Sequence, residues 1–337
     1  MRAAKLIEKQ KIIVSEVQKP ELGDGEVLVK VRAAGVCGTD LHIYAGHRPD
    51  IQLPRVMGHE LAGEISELGR GVRGFEVGDH VSIDPVLACG QCYACRRGRR
   101  NLCTSIMCLG CQTDGGFQDF VVAKAADVHK INPDIPFEHA AMCEPFAIAA
   151  QVLERSAVKA GDRVAVFGAG TIGLCILQVF KLTGAEVLIT DIIDRRLEKA
   201  REFGADMTVN TSREDLAEAA RRFAGEEGVA IVIEAVGDPA LSEAALSIVT
   251  RGGRIVVLGM DKRPTQLSEF NFVRTELDIR GSVLNNNKFP QVVEWLEKGQ
   301  IKPAAMITAS YPIERIDEAF ADITENPKDF LKVMITF

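Results

Sequence analysis

A chain of 337 residues is longer than the usual single domain, so two domains are expected. Hydrophobic residues at 47% and charged residues at 26% are ordinary for a globular protein and exclude fibrous, repetitive or disordered architectures. A net charge of −7 disfavours nonspecific attraction to nucleic acid or anionic lipid, and no apolar run reaches the roughly 20 residues that span a membrane. The first residues, Met1-Arg2-Ala3-Ala4-Lys5, break their apolar character with charge, so the expected location is the cytoplasm. In that reducing compartment nine cysteines point to metal rather than to disulfides.

In chain order, residues 1–34 read as strands, with Ile12-Ile13-Val14 and Val27-Leu28-Val29-Lys30-Val31 separated by a Pro20, Gly23, Asp24, Gly25 turn cluster. Residues 35–60 then bring together Cys37, Thr39, Asp40, His42, His59 and Glu60. A thiolate and an imidazole are donors that zinc prefers, and a catalytic zinc keeps three protein ligands and one open position. Cys37 and His59 are therefore candidate ligands, with Glu60 a further ligand or a neighbour of the ligands. Glycines at 63, 69, 71, 74 and 78 divide residues 61–84 into short runs that suit a small, mostly antiparallel barrel. His80 within them is expected to hydrogen-bond structurally.

Cys89, Cys92, Cys95 and Cys103 follow at Cys-x2-Cys-x2-Cys-x7-Cys spacing. Four thiolates without an open position make a structural tetrahedral site; disulfides and an iron–sulfur cluster are the alternatives of similar spacing. A zinc-ribbon nucleic-acid module would also place cysteines beside Arg96, Arg97, Arg99 and Arg100, but the acidic balance and the lack of interleaved aromatics oppose it. That arginine run is expected to be a solvated face of the lobe, residues about 85–112. Cys108 and Cys111 are read as structural or incidental. Glu144 opens an apolar helix in Met142-Cys143-Glu144-Pro145-Phe146.

The later chain changes rhythm. Val164-Ala165-Val166-Phe167 is an apolar strand running into Gly168-Ala169-Gly170-Thr171-Ile172-Gly173 and a helix, a placement that makes this glycine motif a dinucleotide fingerprint. Gly168 permits the tight turn, Gly170 the approach of the pyrophosphate and Gly173 close helix packing. A second strand ends at Asp191, whose carboxylate accepts hydrogen bonds from a ribose 2′-hydroxyl and repels a 2′-phosphate, so NAD is expected over NADP. Further strands end near Val236, Leu258 and Ser282, expected beside the nicotinamide end of the cofactor. Strands alternating with helices predict a doubly wound parallel (Rossmann) sheet, giving an α/β protein.

The set Cys37-Gly38-Thr39-Asp40-Leu41-His42, Gly58-His59-Glu60-x-x-Gly63, the four cysteines and the glycine turn resembles the zinc-containing medium-chain alcohol dehydrogenase family, and within it the polyol, sugar-acid and threonine branch. The resemblance spans essentially the whole chain. It implies a GroES-like catalytic domain at 1–148 and 284–337, an NAD-binding domain at 149–283, and two zinc ions per chain, one catalytic and one structural.

It further implies Glu144 facing the catalytic zinc, Glu60 as an exchangeable ligand, Thr39 and His42 in a proton relay, and Arg196 accompanying NAD preference. The implied reaction oxidises a secondary alcohol of a polyol or hexonate-like sugar acid, with zinc as Lewis acid and NAD as hydride acceptor. The partners are then a small-molecule substrate and other copies in a tetramer, with neither nucleic acid nor membrane. Val283 and Leu284 depart from sugar-acid relatives, which carry an Arg just before the Asn285-Asn286-Asn287 run. An activity like that of threonine 3-dehydrogenase, and a non-catalytic, zinc-stabilised sensor of NAD, are the alternatives.

Overall fold

The longest strand, Glu26–Val36, organises the first half of the chain. It is rich in β-branched valine, and Val27, Val29 and Val31 are each fully buried. The computed structural model describes residues 1–337, which divide into two units: Met1–Glu144 with Asn286–Phe337, and Pro145–Asn285.

In the first unit a seven-stranded sheet runs in the order Val128–Lys130, His80–Ile83, Glu60–Leu68, Glu26–Val36, Lys332–Thr336, Ile307–Pro312, with Phe120–Lys124 also paired to Glu26–Val36. All pairs are antiparallel except the last two strands of that order. Phe117, Leu6, Leu61, Ile65 and Phe320 fill the core. Burying each such side chain contributes about 1.5–3 kcal/mol.

Register decides what meets what. Gly35 lies opposite Glu60 on one neighbouring strand and opposite Met334 on the other. A side chain at Gly35 is excluded, because a Cβ there would stand 2.1 Å from Glu60 Oε2.

The lobe carrying the four cysteines has little regular structure: a short ladder of Val86–Leu87 with Met107–Cys108, one helical turn at Tyr93–Arg96 and a 3₁₀ turn at Arg100–Leu102. One expectation is corrected here. Arg100 is no solvated surface residue: its guanidinium donates to Asp127 Oδ1 at 2.6 Å and to the Val86 carbonyl, and lies 3.6 Å from Asp84 Oδ2. Its backbone N–H donates to Asn286 Oδ1 at 3.0 Å. Buried carboxylates need a cation, and Arg100 is the one that reaches them. His80 also departs from expectation, since its Nδ1 is buried without a hydrogen-bond partner and its ring packs 4.4 Å from that of Phe137.

The second unit is a six-stranded parallel sheet in the order Met207–Asn210, Glu186–Asp191, Arg163–Phe167, Val229–Glu234, Val249–Val257, Asp278–Gly281. Parallel neighbours need crossovers, and helices Thr171–Lys181, Asp194–Glu202, Leu216–Ala224 and Pro239–Ile248 supply them. Asp215 caps one of these by accepting from Glu218 N, and Gly225 ends it at φ +81°. The order reverses between Arg163–Phe167 and Val229–Glu234, which is where such sheets hold ligands. No helix is long and apolar enough to cross a membrane.

Candidate metal centres and dinucleotide site

Cys37 follows the strand Glu26–Val36 directly, and His59 directly precedes the strand Glu60–Leu68 paired to it, which Glu60 begins. Pairing brings one donor atom from each of Cys37, His59 and Glu60 within 4.8 Å of the others, with His59 and Glu60 buried. Asp40, given no role from sequence, fixes their spacing. It sits at the third position of the helix Gly38–Tyr44 and accepts from Cys37 N at 2.9 Å and Gly58 N at 3.1 Å, one oxygen to each. A local signal existed: an acidic residue three places into a helix commonly reaches back to the residue that starts it.

Asp40 is fully buried, and that burial pushes its pKa up against the pull of His59 and the two N–H groups. Its Oδ1 lies 3.7 Å from His59 Nδ1, which is buried without a hydrogen-bond partner. Burial opposes a charged His59, but Asp40 and Cys37 outweigh it and hold the pKa well above the ordinary value. A thiol, an imidazole with an orphaned nitrogen and buried negative charge suit a divalent cation, whose binding would release that proton.

The two carboxylates differ. Glu60 receives Lys332 Nζ on both oxygens, at 2.6 and 2.7 Å, and the same ammonium donates to the Val36 carbonyl at 3.0 Å. Lys332 is 3% exposed, yet Glu60 and Cys37 overcome its burial and raise its pKa, so it stays charged. No local pattern marked Lys332, which lies 272 residues from Glu60. Glu144, in the first turn of the helix Cys143–Ser156, is buried and pushed up to about 8, first by burial and also by Glu60. It lies within electrostatic reach of His59 but outside the close donor set. Thr39 and His42 are one helical turn apart on Gly38–Tyr44, Thr39 half-buried and His42 exposed with its ring 6.0 Å from that of His47.

The sulfurs of Cys89, Cys92, Cys95 and Cys103 also lie within 4.8 Å of one another. Cys89 N donates to Cys103 Sγ at 3.3 Å. Backbone N–H groups of Cys95 and Thr104 bring Cys92 down to about 5, whereas burial and the neighbouring Cys92 push Cys95 up to about 12. Crowded sulfurs cannot all ionise unaided, and a divalent cation relieves that conflict.

In the second unit the glycine turn follows Arg163–Phe167. Gly168 adopts φ +94°, and a Cβ on Gly173 would lie 1.8 Å from the Gly168 carbonyl oxygen. Above Gly170, which starts the helix Thr171–Lys181, a Cβ would meet nothing within 4 Å, leaving open space at a helix N-terminus where a pyrophosphate fits. Thr171 and Ile172 form the first turn of that helix.

Asp191 ends its strand with one oxygen accepting from Ala169 N at 2.9 Å and the other from Ile192 N and Ile193 N at 2.8 and 2.9 Å. Arg196 stands 3.8 Å from it. Beyond the ends of the next strands, Glu234 accepts from Val236 N and Gly237 N at 2.8 and 2.7 Å. Val236 is exposed and Leu258 half-buried, and the Ser282 hydroxyl is buried without a partner.

Comparison with known proteins fits this geometry. Residues 23–134 match the alcohol dehydrogenase GroES-like domain and residues 171–298 the zinc-binding dehydrogenase domain. The starvation-sensing protein RspB of Escherichia coli K12 is 40% identical over 98% of both chains. The chain belongs to the zinc-containing medium-chain alcohol dehydrogenase family.

A sorbitol dehydrogenase of Bacillus subtilis is 32% identical over 99% of this dehydrogenase and 97% of its own chain. An L-threonine 3-dehydrogenase of Pyrococcus abyssi is 36% identical over 90% of each. Among solved structures, the rspB alcohol dehydrogenase of E. coli CFT073 complexed with NADH superposes with a TM-score of 0.95 at 38% identity, covering 100% and 99% of the two chains. A zinc-binding dehydrogenase of Sinorhizobium meliloti bound to NADP gives 0.94 at 31%, with the same coverage.

Proposed function

We propose that this family member oxidises a secondary hydroxyl of a polyol or sugar acid to a ketone and passes the hydride to NAD. The observation that carries the reading is the Cys37–His59–Glu60 donor set, with His59 and Glu60 buried, held at fixed spacing by Asp40. Cys37 and His59 would hold a zinc ion there, with Glu60 or Glu144 beside it; when bound, zinc supplies Lewis acidity toward a substrate oxygen.

Lys332 holds the Glu60 carboxylate in place. Thr39 takes up the hydroxyl proton as it gives up its own, and His42, exposed one turn along the helix, releases a proton to water. The four cysteines would hold a second, structural zinc. Gly168, Gly170 and Gly173 seat the pyrophosphate, with Thr171 and Ile172 opening the helix beneath it. Val236, Leu258 and Ser282 line the nicotinamide end. Asp191 takes the ribose hydroxyls, and Arg196, already directed at Asp191, is spent on that carboxylate rather than on a 2′-phosphate, which supports NAD over NADP.

On this reading Met1–Glu144 with Asn286–Phe337 is the catalytic domain and Pro145–Asn285 the cofactor domain, in a cytoplasmic tetramer. The test is a panel of polyols, hexonates and L-threonine with NAD or NADP and the zinc-loaded protein, followed by absorbance of the reduced nicotinamide. Oxidation of a polyol or hexonate with NAD is expected. Turnover of threonine alone would favour the threonine-type reading, which the Pyrococcus relative supports. Binding of NAD with no oxidation of any compound would favour a sensor, the reading closest to the starvation-sensing relative.

A further inference from the structure

Four cysteines belong to neither metal set, and two of them are close neighbours in sequence. Cys108 and Cys111 flank Leu109-Gly110 as a Cys-x-x-Cys, both with free thiols, Cys111 buried and Cys108 half-buried. The chain turns tightly between them, Cys111 N donating to the Cys108 carbonyl at 3.1 Å. A turn closed in this way brings its first and fourth Cα atoms within about 7 Å, the range a disulfide spans.

The surroundings suit a reactive pair rather than an inert one. The neighbouring Cys108 draws Cys111 toward its thiolate, with smaller help from His59 and Arg48, against the opposition of burial and Asp40. The turn is also wedged against the candidate catalytic site. Gly110 has φ +76°, and a Cβ on it would lie 2.6 Å from the carbonyl oxygen of Gly58, the residue before His59. Gly116 N donates to that same carbonyl at 2.7 Å, and Gly58 N is held by Asp40. No slack separates the dithiol turn from the metal-ligand segment, so a change of turn geometry must be felt at His59.

We propose that Cys108 and Cys111 form a reversible thiol–disulfide pair, oxidised by low-molecular-weight disulfides, whose closure disturbs Gly58–His59 and loosens metal held there. The Cys111 thiolate attacks one sulfur of the small disulfide, forming a mixed disulfide and releasing one thiolate. Cys108 then gives up its proton and attacks the Cys111 sulfur, which forms the internal bond and releases the second thiolate. Two electrons pass to the reagent, and a dithiol reverses the sequence.

The test treats the zinc-loaded protein with oxidised glutathione, alkylates the remaining thiols after denaturation, and weighs the tryptic fragment Asn101–Lys124, which contains Cys103, Cys108 and Cys111. The expected fragment has lost two hydrogens and carries a single alkyl group, on Cys103, and dithiothreitol restores all three alkylation sites. Zinc competition with a chromogenic chelator is expected to show about tenfold weaker binding at the Cys37–His59 site of the oxidised protein, the size of effect that groups supporting metal ligands produce. The Cys108→Ser/Cys111→Ser variant should keep its zinc affinity under the same oxidant.

Three alkyl groups after treatment, or a bond made through Cys103, would overturn the pair. A 108–111 bond that leaves zinc affinity unchanged would overturn its control of the metal. Neither readout needs a substrate, so both stand whether or not the oxidation of hydroxyls proves right.

Discussion

The two candidate metal sites are built on opposite plans. Four sulfurs come from 15 consecutive residues of an irregular lobe, with Cys89 exposed and Cys103 alone buried. The Cys37–His59–Glu60 set comes from two paired strands, is braced by Asp40, and is completed by a lysine from the last strand of the chain. In the lobe little but a cation can hold the sulfurs together, whereas in the barrel the sheet does so. Metal at the first should therefore govern folding, and metal at the second chemistry.

The largest effect expected from breaking this contrast is Cys103→Ser. Structural zinc in comparable sites is worth on the order of 10 kcal/mol of folding free energy, so the lobe should lose its metal and its protease resistance together. Zinc content and limited proteolysis read this, and a lobe that stays resistant without metal would remove the distinction. Cys37→Ser is the converse: turnover should fall by at least about a thousandfold, roughly 4 kcal/mol, while the melting temperature and the lobe's zinc are retained.

Lys332→Met leaves Glu60 as an uncompensated buried charge. About 3–5 kcal/mol of unfolding free energy should be lost, measurable by chemical denaturation, with Lys332→Arg milder. Cys37→Ser would cost far less stability than Lys332→Met if the barrel site depends on its own ion pair more than on an ion.

The smallest effect probes how the lobe is anchored. His129 stacks on Phe289 at 5.1 Å within electrostatic reach of Asp127 and Arg100, and is lowered to about 4, chiefly by burial. A histidine depressed in the folded state is protonated more readily when unfolded. It therefore contributes stability above its unfolded value near 6.5 that drains away as pH falls toward 4. His129→Phe should flatten that slope, by on the order of 2 kcal/mol across the window. Equal slopes in both proteins would show that the imidazole is not held neutral.

The same contrast explains what could be read from residues alone. Alternation in residues 1–84 and the strand–glycine–helix order after Arg163 are local patterns, so both sheets were legible. The four cysteines were legible because their donor spacing lies within one loop. Lys332 was not, since only the register of Val333 against Val36 brings it to Glu60. Arg100 misled for a related reason: in sequence it is one of several arginines, and only the fold turns it alone toward Asp84 and Asp127. Asp40 stood inside the motif, and its worth lies in Gly58, a partner 18 residues away.

Asp40 has one more consequence. Because its two oxygens hold the N–H of Cys37 and that of Gly58, the residue before His59, the donor atoms should keep their places with or without an ion. Exchange of one cation for another then becomes a matter of diffusion and proton release, with no refolding step. A coloured, paramagnetic substitute such as cobalt(II) could take the place of zinc and turn this pocket into its own optical reporter.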